Sequence, residues 1–327
     1  MSPTTGDGGP AVLVTSASRK VPLLEALAAA ARDAEPPVRI IAGDLDELAV
    51  SRFVAGDFWV MPRVDDATMP SILDGCLRRG VRLVVPTRDG ELGVWAEWRT
   101  RFLDEGIRVS VSDSGSVRRC MDKLAFADFG RERGFSFIPT GTSPDDVPGT
   151  RFAVKERFGA GSLSLGLDLD RAAALRHAEG LEHPIFQPMV EGQEISVDAW
   201  LEDGGRLRGL VLRHRDRVVA GESQVTTTFR DGGVEEEVAR MLEALELRGH
   251  VVLQGFYDGG GRLDVIECNA RFGGASTASI AAGLDSLRWT LAEAGLVPRR
   301  DLEFRRSDEE VRMVRVPVDR FVHDPRL

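Results

Sequence analysis

Residues 251–277, VVLQGFYDGGGRLDVIECNARFGGAST, constrain the fold more than any other stretch of the chain. They read as an apolar strand, a glycine-rich turn at 258–262, and a second strand that runs directly into Glu267, Asn269 and Arg271. Side chains alternate along a strand, so these three share one face if extended backbone continues through them. A carboxylate, an amide oxygen and a guanidinium on one surface suit a divalent ion that carries phosphate oxygens. Gln254 on the preceding strand can add another oxygen, although a five-residue loop leaves the register open. A surface hairpin whose polar residues face water accounts for the same spacing.

At 327 residues the chain is long enough for two domains, or three small ones, each with its own core. Its formal charge of -10, with no dominant basic patch, argues against a nucleic-acid surface but leaves room for a local anion pocket. Three widely spaced cysteines, Cys76, Cys120 and Cys268, give neither a metal pattern nor a disulfide framework. The polar start MSPTTGDGGP does not resemble a signal peptide, and no apolar run is long enough to span a bilayer. A cytoplasmic protein without nucleic-acid or membrane partners is expected; a homodimer is left open.

The N-terminal third alternates strands and helices: strands at 11–15, 38–42, 81–85 and 107–111, helices at 22–32 and 71–79. This is the opening of a parallel α/β sheet. The turn SASRK after the first strand offers Ser16, Ser18 and Arg19 to an anion but lacks the spaced glycines of a dinucleotide loop. PTRDGEL follows the strand at 81–85 as a loop, where parallel sheets bind ligands, so Arg88, Asp89 and Glu91 are substrate candidates. A loop carrying charges for solubility reads the same way.

A helix starting at Ser116 is expected to contain Lys123 near its beginning. A cation there opposes the helix dipole, which hints at a ligand. Lys155 projects from a strand at 152–157, and Gly159, Gly161 and Gly166 make the following loop permissive enough for its amides to surround phosphate oxygens. The standard P-loop spacing is absent. A helix at 171–180 and an extended segment at 184–189 follow, with Pro188 expected to interrupt pairing. Beyond them lie strands in EISVDAWL, 206–219 and GESQVTTTF, helices at 234–246, into Ala282 and at 287–294, and a last strand in RMVRVPV. Arg213, His214, Arg215 and Arg217 form a basic patch that can neutralise a carboxylate or phosphate, or simply line a charged strand face.

In order and spacing, MDKLAF, FAVKERFGAGSLSLG, FQPMVEGQEISVDAW and LQGFYDGGGRLDVIECNARFGGAST resemble the ATP-grasp superfamily. The likeness is greatest to carboxylate-amine ligases related to the synthetase half-domains of carbamoyl phosphate synthase, and it runs from Val12 to about Leu296. It implies a mixed α/β and α+β chain: an N-terminal parallel domain at 1–112, a linker helix and small lid at 113–190, and a C-terminal subdomain with the metal site at 191–327. By the resemblance, Lys123 and Lys155 contact ATP phosphates under a lid containing Gly159, Gly161 and Ser162. Gln187, Pro188, Met189 and Val190 become the adenine hinge, and Glu194 faces the ribose. Gln254, Glu267 and Asn269 would hold magnesium, with manganese as an alternative ion.

Arg271 would steer phosphate, Arg213 would meet an anionic substrate or the transferred phosphate, and Arg215 and Arg217 would be further candidates. Gly273 and Gly274 allow close substrate approach, while Arg88, Asp89 and Glu91 border the acceptor pocket. Two departures stand out: Gln254 where glutamate is common, and Glu156 where many relatives have proline. The implied activity is ADP-forming ligation of a carboxylate, activated as an acyl phosphate, to an amine such as an amino acid. A kinase, a carboxylase-like enzyme and a non-catalytic ATP-responsive module are the alternatives.

Overall fold

A computed structural model describes residues 9–159, 164–299 and 302–321. The first sheet contains β1 (Ala11–Thr15), β2 (Arg39–Asp44), β3 (Asp57–Val60), β4 (Val81–Pro86) and β5 (Arg108–Val109), all parallel in the order β3-β2-β1-β4-β5. Helices α1 (Val21–Ala30), α2 (Met69–Arg78) and α3 (Asp89–Asp104) cover it. Val12 and Val14 pack against Leu23, Leu24 and Leu27 on one face, while Leu13 joins Met69, Ile72 and Trp95 on the other. Burial on both faces explains why β1 is apolar throughout. The order reverses direction at β1 and β4, so the crevice beyond their carboxyl ends is the natural ligand side.

Two features here differ from the sequence expectation. β3 is a short, half-exposed edge strand. PTRDGEL is mostly helix rather than loop: Asp89 and Glu91 form the first turn of α3, where the dipole favours acids, and Leu92, Trp95 and Phe102 bury its inner face.

The helix expected from Ser116 is two helices, α4 (Ser114–Met121) and α5 (Lys123–Glu132). Asp122 separates them in an extended conformation, and its Oδ1 accepts from the amides of Leu124 and Ala125, each at 3.1 Å. Lys123 is therefore the first helical residue and follows a capping carboxylate, which offsets the unfavourable dipole. A small antiparallel sheet follows, with order β7-β6-β8: β6 (Phe152–Glu156), β7 (Gly166–Leu169) and β8 (Pro184–Pro188). α6 (Arg171–Ala178) closes its separate core around Phe152, Val154, Ala174 and Phe186. Pro188 does not interrupt pairing; it is the end of β8, opposite Phe152.

The large sheet is antiparallel: β9 (Gln193–Leu201), β10 (Leu207–Val219), β11 (Glu222–Phe229), β12 (Gly249–Tyr257), β13 (Leu263–Asn269) and β14 (Arg312–Val314). Its order is β13-β12-β9-β10-β11-β14. Helices α7 (Gly232–Ala244), α8 (Ser276–Ala281) and α9 (Ser286–Glu293) complete it. Val197, Leu253 and Val265 on this sheet share one continuous core with Phe126 of α5 and with Trp95 and Phe102 of α3. That shared core sets β13 against the ligand side of the parallel sheet.

Candidate functional site

Pairing of β12 with β13 puts Gln254 directly opposite Glu267 and Val252 opposite Asn269. Leu253 and Cys268 point inward and are buried, so Gln254, Glu267 and Asn269 are left half-buried on the other face. The ladder breaks its register at Gly255, where a Cβ would lie 2.6 Å from the carbonyl oxygen of Asp264, so glycine alone permits the approach. Asn269 Nδ2 donates to Glu267 Oε1 at 3.3 Å. The Gln254 amide lies between Glu267 Oε1 and Arg215 Nη1, 2.8 Å from each; its hydrogen bonds are satisfied with NH2 on Glu267 and oxygen on Arg215. Arg215 Nη1 is also 2.9 Å from Glu194 Oε1. Arg215 thus ties Glu194 on β9 to Gln254 on β12, which in turn bonds Glu267 on β13.

β13 ends at Asn269, so extended backbone does not carry Arg271 onto the shared face. The chain turns instead, with the Arg271 amide donating to the Asn269 carbonyl at 2.8 Å. Even so, the guanidinium comes back to the site: Nη2 is 3.5 Å from Asn269 Oδ1, and Nε donates to Asp89 Oδ1 at 2.8 Å. Nη2 pairs with the other Asp89 oxygen, making a bidentate contact between α3 and the turn after β13.

Both lysines face Glu267 electrostatically. Lys123 Nζ donates to the carbonyl oxygens of Gly159 at 2.7 Å and Arg157 at 3.4 Å. Burial lowers its pKa, opposed by Glu267 and Asp89. Burial pushes Lys155 down to about 8; nearby Lys123 lowers it further, while Glu267 and Glu194 pull the other way. Arg157, just beyond β6, clasps Asp122 at the α5 cap, with Nε–Oδ1 at 2.7 Å and Nη2–Oδ2 at 2.5 Å. A cleft of about 380 Å³ runs between these groups, bordered by Asp89, Met121, Lys123, Phe158, Glu267 and Asn269.

Other expected positions divide between the cleft and its surroundings. Gly159 lies at the cleft; Gly161 and Ser162 lie outside the described residues. Gln187 is buried and donates to Thr140 Oγ1 at 2.8 Å, Pro188 and Val190 are half-buried, and Met189 is exposed. Burial raises the pKa of Glu194, with Arg215 opposing. Glu91 is buried and accepts from Ser16 Oγ at 2.5 Å and Thr15 Oγ1 at 3.3 Å, so it fastens the β1 turn. Arg88 lines the cleft with a largely exposed side chain. Arg217 is exposed towards the outer end of β10.

Arg213 is embedded in a network that the sequence did not reveal. Its Nε contacts Asp198 Oδ2 at 2.5 Å with both side chains buried, and its Nη2 lies 4.0 Å from where a Cβ on Gly273 would be. Asp198 also meets Ser276 Oγ at 2.5 Å, Ser279 Oγ at 2.9 Å and His250 Nε2 at 3.0 Å. Burial alone would raise its pKa, but Arg213 and the hydrogen bonds from His250 and Ser276 hold it well below the usual carboxylate range. Ser276 Oγ in turn accepts from the Gly273 amide at 2.8 Å. The network therefore shapes the turn that follows Arg271. No local pattern marks Asp198, because it sits within an ordinary strand alternation.

Among the described residues no three His, Cys, Asp or Glu side chains gather as a metal site, and no helix is long and apolar enough to cross a membrane. The candidate donors comprise one carboxylate and two amides.

A family model described as the PylC-like N-terminal domain matches residues 12–110. A second, described as ATP-grasp in the biosynthetic pathway with Ter operon, matches residues 181–316. No curated protein matches in sequence. Among solved structures, the chain is similar to the biotin carboxylase domain of Hydrogenobacter thermophilus 2-oxoglutarate carboxylase, solved with MgADP, ADP and bicarbonate. The TM-score is 0.71 at 14% identity, over 92% of this chain and 73% of that one. It is also similar to N5-carboxyaminoimidazole ribonucleotide synthetase from Thermus thermophilus, with TM-score 0.65, 19% identity and coverage of 88% and 79%. L-amino acid ligase from Bacillus licheniformis gives TM-score 0.64 at 14% identity, with coverage of 89% and 75%. The chain thus combines a PylC-like N-terminal domain with an ATP-grasp domain.

Proposed function

We propose that the protein is an ADP-forming ligase that activates a carboxylate with Mg-ATP and joins it to an amine, the amine-bearing partner being an amino acid. One observation carries this reading: Gln254, Glu267 and Asn269 gather on one face, within electrostatic reach of Lys155 and Lys123 across an open cleft. Glu267 and Asn269 offer hard oxygens that fit magnesium, and Gln254 would add a third on turning its amide oxygen from Arg215. With a single carboxylate among them, the rest of the ion's charge is left for triphosphate oxygens to balance. Bound there, the ion would neutralise charge on the transferring phosphoryl group.

The chain's own residues supply the rest. Lys123 and Lys155 hold phosphate oxygens, and the low polarity that depresses Lys155 strengthens its attraction for them. Arg271, oriented by Asp89, places a guanidinium beside the metal strand where the activated carboxylate forms. The mixed anhydride of carboxylate and phosphate is then attacked by the amine, phosphate leaves, and no covalent bond to the enzyme is needed. Closure of the loop that follows Arg157 over the reactants, which the family resemblance implies, would limit hydrolysis.

The test is release of ADP and phosphate from Mg-ATP across a screen of amino acids and small carboxylates, with product mass equal to both organic reactants minus water. Glu267→Gln and Lys155→Ala should each abolish most of the turnover. Absence of ATP binding by calorimetry, or full turnover in either variant, would overturn the proposal.

A further inference from the structure

A second charged pocket adjoins the Arg271 turn, and the ligase reading does not use its Lys20, Glu222 and Arg315. The loop after β1 carries Lys20 to a position facing Gly273, Gly274 and Thr277, with Glu222 and Arg315 completing the walls. Lys20 is half-buried, yet its ammonium makes no hydrogen bond or ion pair among the described residues. Burial lowers its pKa, Arg271 and Arg315 add to the effect, and Glu222 and Asp89 oppose it. Three cations thus share two carboxylates, which leaves the pocket with an excess of positive charge.

Arg315, just beyond β14, fixes the far wall. Its Nη2 donates to the Gly274 carbonyl at 2.5 Å and its Nη1 lies 2.8 Å from Glu222 Oε2. Glu222 follows a tight turn at Ala220 and Gly221, both at positive φ, and its side chain is about half exposed. Its carboxyl carbon lies 3.4 Å from where a Cβ on Gly274 would be, so the protein's own carboxylate fills the space above that glycine. The remaining volume is about 10 Å³, room for no more than a water molecule. A carboxylate ligand can enter only by exchanging with Glu222.

We propose that this pocket recognises the free carboxylate of the amino-acid substrate, which displaces the Glu222 side chain and pairs with Lys20 and Arg315. The inference rests on the ligase reading and narrows its amine-bearing partner to amino acids in the free-acid form.

The experiment compares L-amino acids with the matching L-amino-acid amides as amine partners, each with Mg-ATP and an amine-free carboxylic acid as the group to be activated, on wild type, Lys20→Met and Glu222→Gln. Two readouts are taken: the initial rate of ADP release, and the thermal shift with Mg-ADP bound. Wild type should prefer acids at least about tenfold, the equivalent of one charge-assisted contact. Lys20→Met should bring that preference to within about twofold while the KM for ATP holds, because the contact is lost on the substrate side alone. Glu222→Gln should tighten acid binding about threefold or more by removing a competing anion. Both substitutions fall on side chains that are not fully buried, and the thermal midpoint of each free variant verifies folding.

Acid-selective thermal shifts that vanish in Lys20→Met, without ADP release from any compound, leave the anion site standing and overturn the ligase reading. ADP release with acids and amides alike, or an acid preference that survives in Lys20→Met, overturns the anion site and leaves the ligase reading intact. No response to any acid in either readout overturns both.

Discussion

Replacing Lys155 with methionine should remove most of the proton that the protein takes up on binding Mg-ADP at alkaline pH. In the free protein burial holds this lysine at about 8 instead of the ordinary 10.5. A group of pKa about 8 is about nine-tenths protonated near pH 7 but only about one-quarter protonated near pH 8.5. Phosphate oxygens favour the charged form and return the pKa towards its ordinary value. Binding should therefore take up about 0.1 proton near pH 7 and about 0.7 near pH 8.5, and affinity should fall towards tenfold per pH unit above about 8. Calorimetry in two buffers of different ionisation enthalpy measures the uptake directly. Lys123, also depressed, leaves a smaller residue in the variant. Equal uptake at the two pH values, or equal uptake in wild type and Lys155→Met, would refute the reasoning.

The same depressed pKa sets a stability prediction. Between about 8 and 10.5 the unfolded chain holds a proton that the folded protein lacks, so this group makes stability rise with pH there; below about 8 its charge is a constant burden. Lys155→Met should raise the thermal midpoint of the free protein at neutral pH, by a margin that shrinks across that window. Asp198→Asn should destabilise by about 3–5 kcal/mol in chemical denaturation, because it leaves Arg213 as an uncompensated buried charge. Asp122→Ala should lose about 1 kcal/mol from the α5 cap and raise the KM for ATP through loss of the Arg157 clasp. Asp89→Asn should change stability by less than about 1 kcal/mol, since its pair with Arg271 is partly exposed. Steady-state kinetics of that variant should nonetheless show a fall in kcat, from loss of Arg271 orientation.

The features legible in the sequence were those written by periodicity. Five-residue β1 is apolar because both its faces are covered, and Leu253, Cys268 and their half-buried neighbours alternate as a strand must. Boundaries set by single residues were less visible. Asp122 divides what reads as one helix because its side chain caps the second, and PTRDGEL hides the start of α3 because its burial signal begins only at Leu92. At the site, Gln254, Glu267 and Asn269 were found through their spacing on paired strands. Their connection to Arg215 was not, because a guanidinium on β10 reaching β9 and β12 is a matter of sheet order, which no local window contains. The pairing of Arg213 was hidden for a related reason: its partner Asp198 lies 15 residues away on the adjacent strand, and nothing near either residue indicates that their charges meet in the interior.

The contrast between Arg213 and the two cleft lysines separates structure from chemistry in this chain. Both environments bury cations, yet Arg213 has its counter-ion in direct contact, and that carboxylate gathers further hydrogen bonds from Ser276, Ser279 and His250. Such a cluster is internally satisfied and has no need of a ligand. Lys123 is bonded only to backbone carbonyl oxygens, and Lys155 is lowered by burial and by Lys123 while Glu267 and Glu194 act on it from a distance. Cations left in that condition destabilise the free protein and gain most when phosphate oxygens arrive. On the proposed function, the pair of lysines rather than the buried arginine is where affinity for a polyanion would reside.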